Sequence, residues 1–290
     1  MRELKFINND ALQKEFGSAV RKNVNAYFRE KSISTKGDYT MYIKAFILLS
    51  VYIVPFVIIL TVPISIWPAL ILVLIMGIGE AGVGMSVMHD GAHGAFSQKS
   101  WVNNLFASTM YLLGSNTFNW QIQHNRWHHT FTNIYGFDTD IDTKGAVRLS
   151  QHAPLKKYHR FQFIFAFPFY GLLTLSKMIM DFGQLRKIEK SGIMLPRLEM
   201  IKLAITKIMY LFVIIGLPLL LTDFSWYQVL TGFAILHVTA GMIMSTVFQM
   251  AHVVEGALQA SPNAEGVIEK EWAVYQLYAT SDFARDNAFL

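Results

Sequence analysis

Nine histidines are spread over the 290 residues, and five of them fall in two tight clusters. The first is His89-Asp90-Gly91-Ala92-His93, and the second is His124-Asn125-Arg126-Trp127-His128-His129. Helical residues four apart project from one face, so each cluster offers two imidazoles side by side. His129 adds a third ring to the second cluster. Imidazole suits iron, zinc and copper. The chain has no cysteine, which excludes disulfides and cysteine-ligated metals. A single histidine pair would be read as satisfying backbone groups at a polar interface. Two pairs plus a doubled ring, both at the ends of apolar runs, point to a metal.

The other histidines divide by position. His252 follows the last long apolar run, in Phe248-Gln249-Met250-Ala251-His252-Val253-Val254-Glu255, and is a further candidate ligand. His237 lies in the middle of that run and is read as buried and hydrogen-bonded. His152 and His159 share a basic segment with Lys156, Lys157 and Arg160 and are read as surface residues. Glu80 is a carboxylate within the second apolar run. An exposed charge at that depth is costly, so Glu80 is expected to be neutral or to face the interior of a helix bundle. The neighbouring Gly77, Gly79, Gly82 and Gly84 permit close helix packing there.

The elements that must position these residues are membrane helices. Hydrophobic residues make up 53% of the chain and charged residues 16%, and the apolar ones form long runs. A span needs about 20 mostly apolar residues. Runs over 43–61, 66–88, 203–221 and 226–250 meet that need, with Lys207 expected to snorkel and Trp226-Tyr227 marking an interface. A shorter run over 161–175 holds Pro168 and Gly171 and reads as a re-entrant or interfacial helix. With four spans, the two short outer turns hold one charge, Asp223, and the 25 Lys and Arg residues fall on the other side. That asymmetry places both termini and the 89–202 region in the cytoplasm. The net charge of +5 flanks apolar runs and gathers on no soluble module, which argues against a nucleic-acid partner. Residues 1–40 are polar and basic, with Phe16, Val20, Val24 and Tyr27 at the spacing of an amphipathic helix that either rests on a membrane surface or forms a soluble tail. The first apolar run begins near Met41, too far in for a cleavable signal peptide. The fold class is therefore all-α: an integral membrane protein with four transmembrane helices, interfacial helices and a cytoplasmic histidine-bearing cap. It is expected to comprise an N-terminal segment, 1–40, and a membrane domain, 41–290.

The stretch from Gly84 to Ser97 resembles the first histidine box of the membrane-bound fatty acid desaturases. His124 to Asn133, followed by Asp138 and Asp140, resembles the second, and Phe248 to Glu255 is similar to the fourth-helix segment that supplies a further ligand. The similarity is greatest to the acyl-lipid, front-end (linoleoyl-type) branch. The resemblance implies an oxidoreductase with two iron ions that uses O₂ and two electrons to place a double bond in a long acyl chain. The implied ligands are His89, His93, His124, His128, His129 and His252. Asp90, Asn125, Asp138 and Asp140 would orient imidazoles through their other ring nitrogen. The implied substrate is a fatty acyl lipid or acyl-CoA.

The short tail carries no histidine for a fused haem domain, so electrons are expected from a separate ferredoxin- or cytochrome b5-type donor with its reductase. The family's third box, Gln-x-x-His-His, has no counterpart, because no histidine follows His252. Asp286-Asn287-Ala288-Phe289-Leu290 falls in the stretch that usually leads into that box. The 41–290 domain is thus expected to be C-terminally incomplete, with weak or partial metal occupancy. A hydroxylase or ketolase of the same superfamily is the near alternative. A metal transporter or a non-catalytic membrane protein is the alternative from a different class.

Overall fold

The computed structural model describes residues 4–7 and 10–282, so Asp286–Leu290 lie outside the described residues. The regular structure is almost wholly helical, with one pair of two-residue strands among the described residues. Four helices are long and apolar enough to cross a membrane: Tyr39–Thr61, Ile66–Ala92, Glu199–Leu221 and Trp226–His252. They are called here the first to fourth spans. The first is started by Asp38, whose side chain accepts from the Thr40 backbone N–H at 3.0 Å. The shorter apolar run forms two helices, Lys157–Gly171 and Leu173–Lys190, bent by 74°. Pro168 and Gly171 weaken the helix just before that bend.

The chain divides into two compact units. The first comprises residues 36–122 and 167–245 and contains most of the apolar helical length. Its core gathers Tyr52, Ile59, Met76, Val83, Val87, Tyr210, Ile214 and Leu236. A Cβ added at Gly79 would lie 2.5 Å from the Tyr52 backbone nitrogen, and one at Gly77 2.6 Å from Thr239. The glycines of the second span therefore do permit the close helix approach read from the sequence. Phe46, Trp67, Leu220 and Trp226 are each about two-thirds exposed or more, as lipid-facing side chains should be. Glu80 is buried, and His237 is buried with both ring nitrogens engaged, as expected.

Lys207 departs from expectation. It does not snorkel but is buried, with Nζ 2.9 Å from Asp181 Oδ2 and 3.0 Å from the Gly114 carbonyl. A carboxylate 26 residues away in sequence meets the ammonium inside the unit, which removes the need to reach water.

The second unit comprises described residues from 4–35, 123–166 and 246–282. Helix Ala11–Glu30 packs against Trp272–Ala279, with Gly17 lying against Glu271 and Ala273. Val20, Val24 and Tyr27 stand exposed at the helical spacing seen in the sequence. Strands Lys5–Phe6 and Val267–Ile268 pair in parallel, and Ile134, Ile268, Tyr275 and Ala279 form the core. His152 is exposed, as read. His159 is not, because it closes the turn it belongs to. Its Nδ1 accepts from the Lys156 N–H at 3.1 Å, and its Nε2 lies 3.0 Å from the Gly145 carbonyl.

Candidate metal centre

Both histidine clusters sit at departures from α-helical geometry. A π-helical turn, Val83–Met88, immediately precedes His89 in the second span, and a second one, Ile122–His128, carries His124 and His128. Such turns re-aim side chains and recur at functional sites. In the first unit, the His89 and His93 rings lie 4.5 Å apart, so the pair shares one side of the chain as the spacing required. His89 Nδ1 is 3.2 Å from Asp90 Oδ1, while Lys44 donates to the other Asp90 oxygen at 3.1 Å.

The second unit gathers the remaining candidates. His124 stacks on His128 with ring centres 5.2 Å apart, and His129 lies 4.6 Å from His124. His252 meets His128 edge-on at 4.7 Å. His124, His128 and Asp140 each offer a ligand atom within 4.8 Å of the others. Two carboxylates fix the rings from behind. Both Asp138 oxygens lie 3.0 Å from His128 Nδ1, and Asp140 Oδ2 lies 3.3 Å from His124 Nδ1. Asn125 is half-buried on the same turn.

The electrostatics divide the rings. Burial pushes His124 down to about 4, against the opposing pull of Asp140, so its ring is a neutral imidazole near neutral pH. Burial lowers His128 too, but the Asp138 hydrogen bond and the Asp140 charge outweigh it and raise it. With Nδ1 held by Asp138, His128 Nε2 is buried without a hydrogen-bond partner among the described residues. A buried ring nitrogen left without a partner costs free energy. A metal ion taking the place of the Nε2 proton is a partner that an imidazole with a carboxylate behind it accommodates. The donor set of imidazole and carboxylate, with no thiolate, fits iron.

The family model described as fatty acid desaturase matches residues 65–290, more than three-quarters of the chain. The chain belongs to the fatty acid desaturase family. It is 31% identical over 281 residues to an sn-1 linoleoyl-lipid 6-desaturase of Synechocystis sp., covering 94% of this chain and 77% of the relative. It is 30% identical to the Arthrospira platensis protein of the same description, covering 95% and 75%. An acyl-lipid (8-3)-desaturase of Physcomitrium patens is 28% identical, covering 97% and 59%. No solved structure matches.

The desaturase uses more residues around its histidines than the sequence pointed out. Trp120 meets His89 and His93 edge-on, at 5.7 Å and 6.0 Å. Gln123 donates to Asp140 Oδ1 at 2.6 Å, which steadies the carboxylate behind His124. Phe248 packs 5.5 Å from His128 and 5.1 Å from His252. Asn133 does most. In a left-handed conformation (φ 60°), its backbone N–H donates to Asp138 at 2.8 Å, and its side chain donates to the carbonyls of His252 and Ala279. One signal was available in the sequence, since asparagine tolerates that backbone region better than most residues. The partners 119 and 146 residues away were not legible.

Proposed function

We propose that this desaturase converts a CH₂–CH₂ unit of a long acyl chain to CH=CH at a pair of iron ions, with O₂ and two electrons. The balance is one O₂, two electrons and two protons taken up, and two waters released with the two hydrogens removed from the chain. His89, His93, His124, His128, His129 and His252 are the proposed iron ligands, and Asp90, Asn125, Asp138 and Asp140 hold imidazoles in place. Iron, when bound, supplies the oxidising power for an unactivated C–H bond, which no acid–base side chain has.

The single observation that carries the reading is His128, whose Nδ1 is held by Asp138 and whose buried Nε2 has no hydrogen-bond partner among the described residues. Asp138 sets the tautomer that presents Nε2 outward, and Asp140 does the same for His124 at a longer distance. The low proton affinity of His124 keeps that ring ready to ligate without first losing a proton. Apolar spans that end at histidines suit an acyl chain, since they shield it from water while one carbon pair is oxidised. The relatives' descriptions as linoleoyl-lipid and acyl-lipid desaturases favour a chain esterified in a lipid over acyl-CoA. Electrons come from a separate ferredoxin- or cytochrome b5-type donor with its reductase. The histidines and both termini face the cytoplasm, on the strength of the Lys/Arg asymmetry.

The experiment is reconstitution with iron, an acyl-lipid substrate and a reduced donor, with products resolved by mass spectrometry. The reading predicts O₂- and donor-dependent loss of two mass units from the acyl chain. Gain of an oxygen atom instead would make the protein a hydroxylase or ketolase, and turnover without any donor would contradict the electron route.

A further inference from the structure

One face of the third span holds charged and polar groups where lipid-facing or core helices carry apolar ones. Glu199, Leu203, Lys207, Tyr210 and Ile214 follow each other at three- and four-residue steps and are all buried. They therefore form a single stripe along the helix. This helix carries no histidine and supplies nothing to the proposed iron ligands. A buried ion pair there is costly and weak evidence for stability alone.

Every polar member of the stripe reaches the same short segment, 114–119. Lys207 donates to the Gly114 carbonyl at 3.0 Å and to Asp181 Oδ2 at 2.9 Å. Asp181 in turn accepts from Ser115 Oγ at 2.8 Å and from Asn119 Nδ2 at 3.2 Å. Glu199 accepts from Asn116 Nδ2 at 3.0 Å. Tyr210 closes over Gly114, which sits at φ +68°, where a Cβ would come 2.7 Å from the ring. Asn116 Oδ1 then accepts from the Asn119 N–H at 2.9 Å and starts helix Thr117–Gln121. The next residue after Asn119 is Trp120, the ring that stands edge-on to both His89 and His93.

We infer that Lys207 and Glu199 on the inner face of the third span, together with Asp181 of helix Leu173–Lys190, form a clamp on residues 114–119 that positions Trp120 against the first histidine pair. Lys207, Asp181 and Asn119 are positioning residues: they touch neither histidine and act through the segment they hold. This rests on the reading of His89 and His93 as iron ligands. It gives the third span a part in the reaction that its own sequence does not announce.

The test compares the purified protein with Lys207→Met/Asp181→Asn, which removes both charges together at nearly unchanged volume, and with Asn119→Ala, which removes the Asn119 side-chain hydrogen bonds to Asp181. Three quantities are read: hydrogen exchange of peptide 114–121, iron bound per chain after Fe(II) loading, and the kcat and KM of desaturation. The double variant should lose the exchange protection of 114–121 and about tenfold in kcat, the lower end of what losing an orienting partner costs. KM should stay unchanged, and the conservative single variant Lys207→Arg, which keeps the charge facing Asp181, should keep kcat near the parent's. In a Trp120→Leu background, Asn119→Ala should add little further loss, since the two act in series. If the double variant keeps protection, iron and kcat, the clamp is wrong. If protection is lost but kcat and iron hold, the clamp exists without positioning anything, and the inference fails. If the parent protein binds no iron, the ligand reading fails on its own, while the exchange data still decide whether the clamp is there.

Discussion

His237 and His128 are both wholly buried on helical backbone, yet their surroundings differ in one respect. His237 has Tyr210 Oη at 3.0 Å from Nε2, with Thr174 Oγ1 at 3.0 Å and Glu80 Oε1 at 3.4 Å from Nδ1. Both nitrogens are engaged, and nothing is left to ligate. His128 has two carboxylate oxygens at Nδ1 and no hydrogen-bond partner at Nε2 among the described residues. A buried polar atom with no partner costs free energy, whereas a satisfied one costs little. The difference separates a histidine that ties helices together from one built to hold something absent from the protein itself. Burial alone does not distinguish them; the second nitrogen does.

The comparison breaks most visibly at His128. His128→Ala should abolish desaturation and weaken Fe(II) binding beyond the ~10–100-fold that loss of an outer partner costs. An anaerobic Fe(II) titration reads this directly. Asp138→Asn comes next. It keeps the shape but removes the charge behind Nδ1, so kcat should fall about 10–100-fold with the fold intact by circular dichroism. Wild-type turnover in that variant would show that Asp138 merely fills space.

His237→Leu sharpens the other side. It leaves the Tyr210 hydroxyl and the Glu80 carboxyl short of a partner, while Thr174 keeps the residue-237 carbonyl, and should cost about 1–3 kcal/mol of stability. The apparent melting temperature in detergent should drop while iron bound per folded chain does not. His152→Ala is the smallest change, at an exposed ring whose Nε2 meets the Gln259 carbonyl at 2.8 Å. Surface substitutions of this kind usually stay within about 0.5 kcal/mol. Melting and turnover should match the parent, and a loss of iron there would undo the division of histidines drawn above.

The four spans were legible because membrane crossing demands long apolar runs, and their limits in the structure agree with those runs to within a few residues. The pairs His89–His93 and His124–His128 were legible because their spacing is local. The carboxylates Asp90, Asp138 and Asp140 were legible through the family resemblance, and each lies at an imidazole Nδ1. What was hidden was set by distant partners. Lys207 looked like a snorkelling residue because its carboxylate is on another helix, and His159 looked exposed because the carbonyl it reaches belongs to Gly145. The π-helical turns also leave no periodic trace in a segment as short as Ile122–His128.

The most direct test of the central claim is iron bound per chain, measured by elemental analysis after anaerobic Fe(II) loading of the parent, His128→Ala and His237→Leu proteins side by side. The account predicts that the parent and His237→Leu bind iron alike and that His128→Ala loses most of it. Equal iron in His128→Ala and the parent, or an equal loss in both variants, would contradict it.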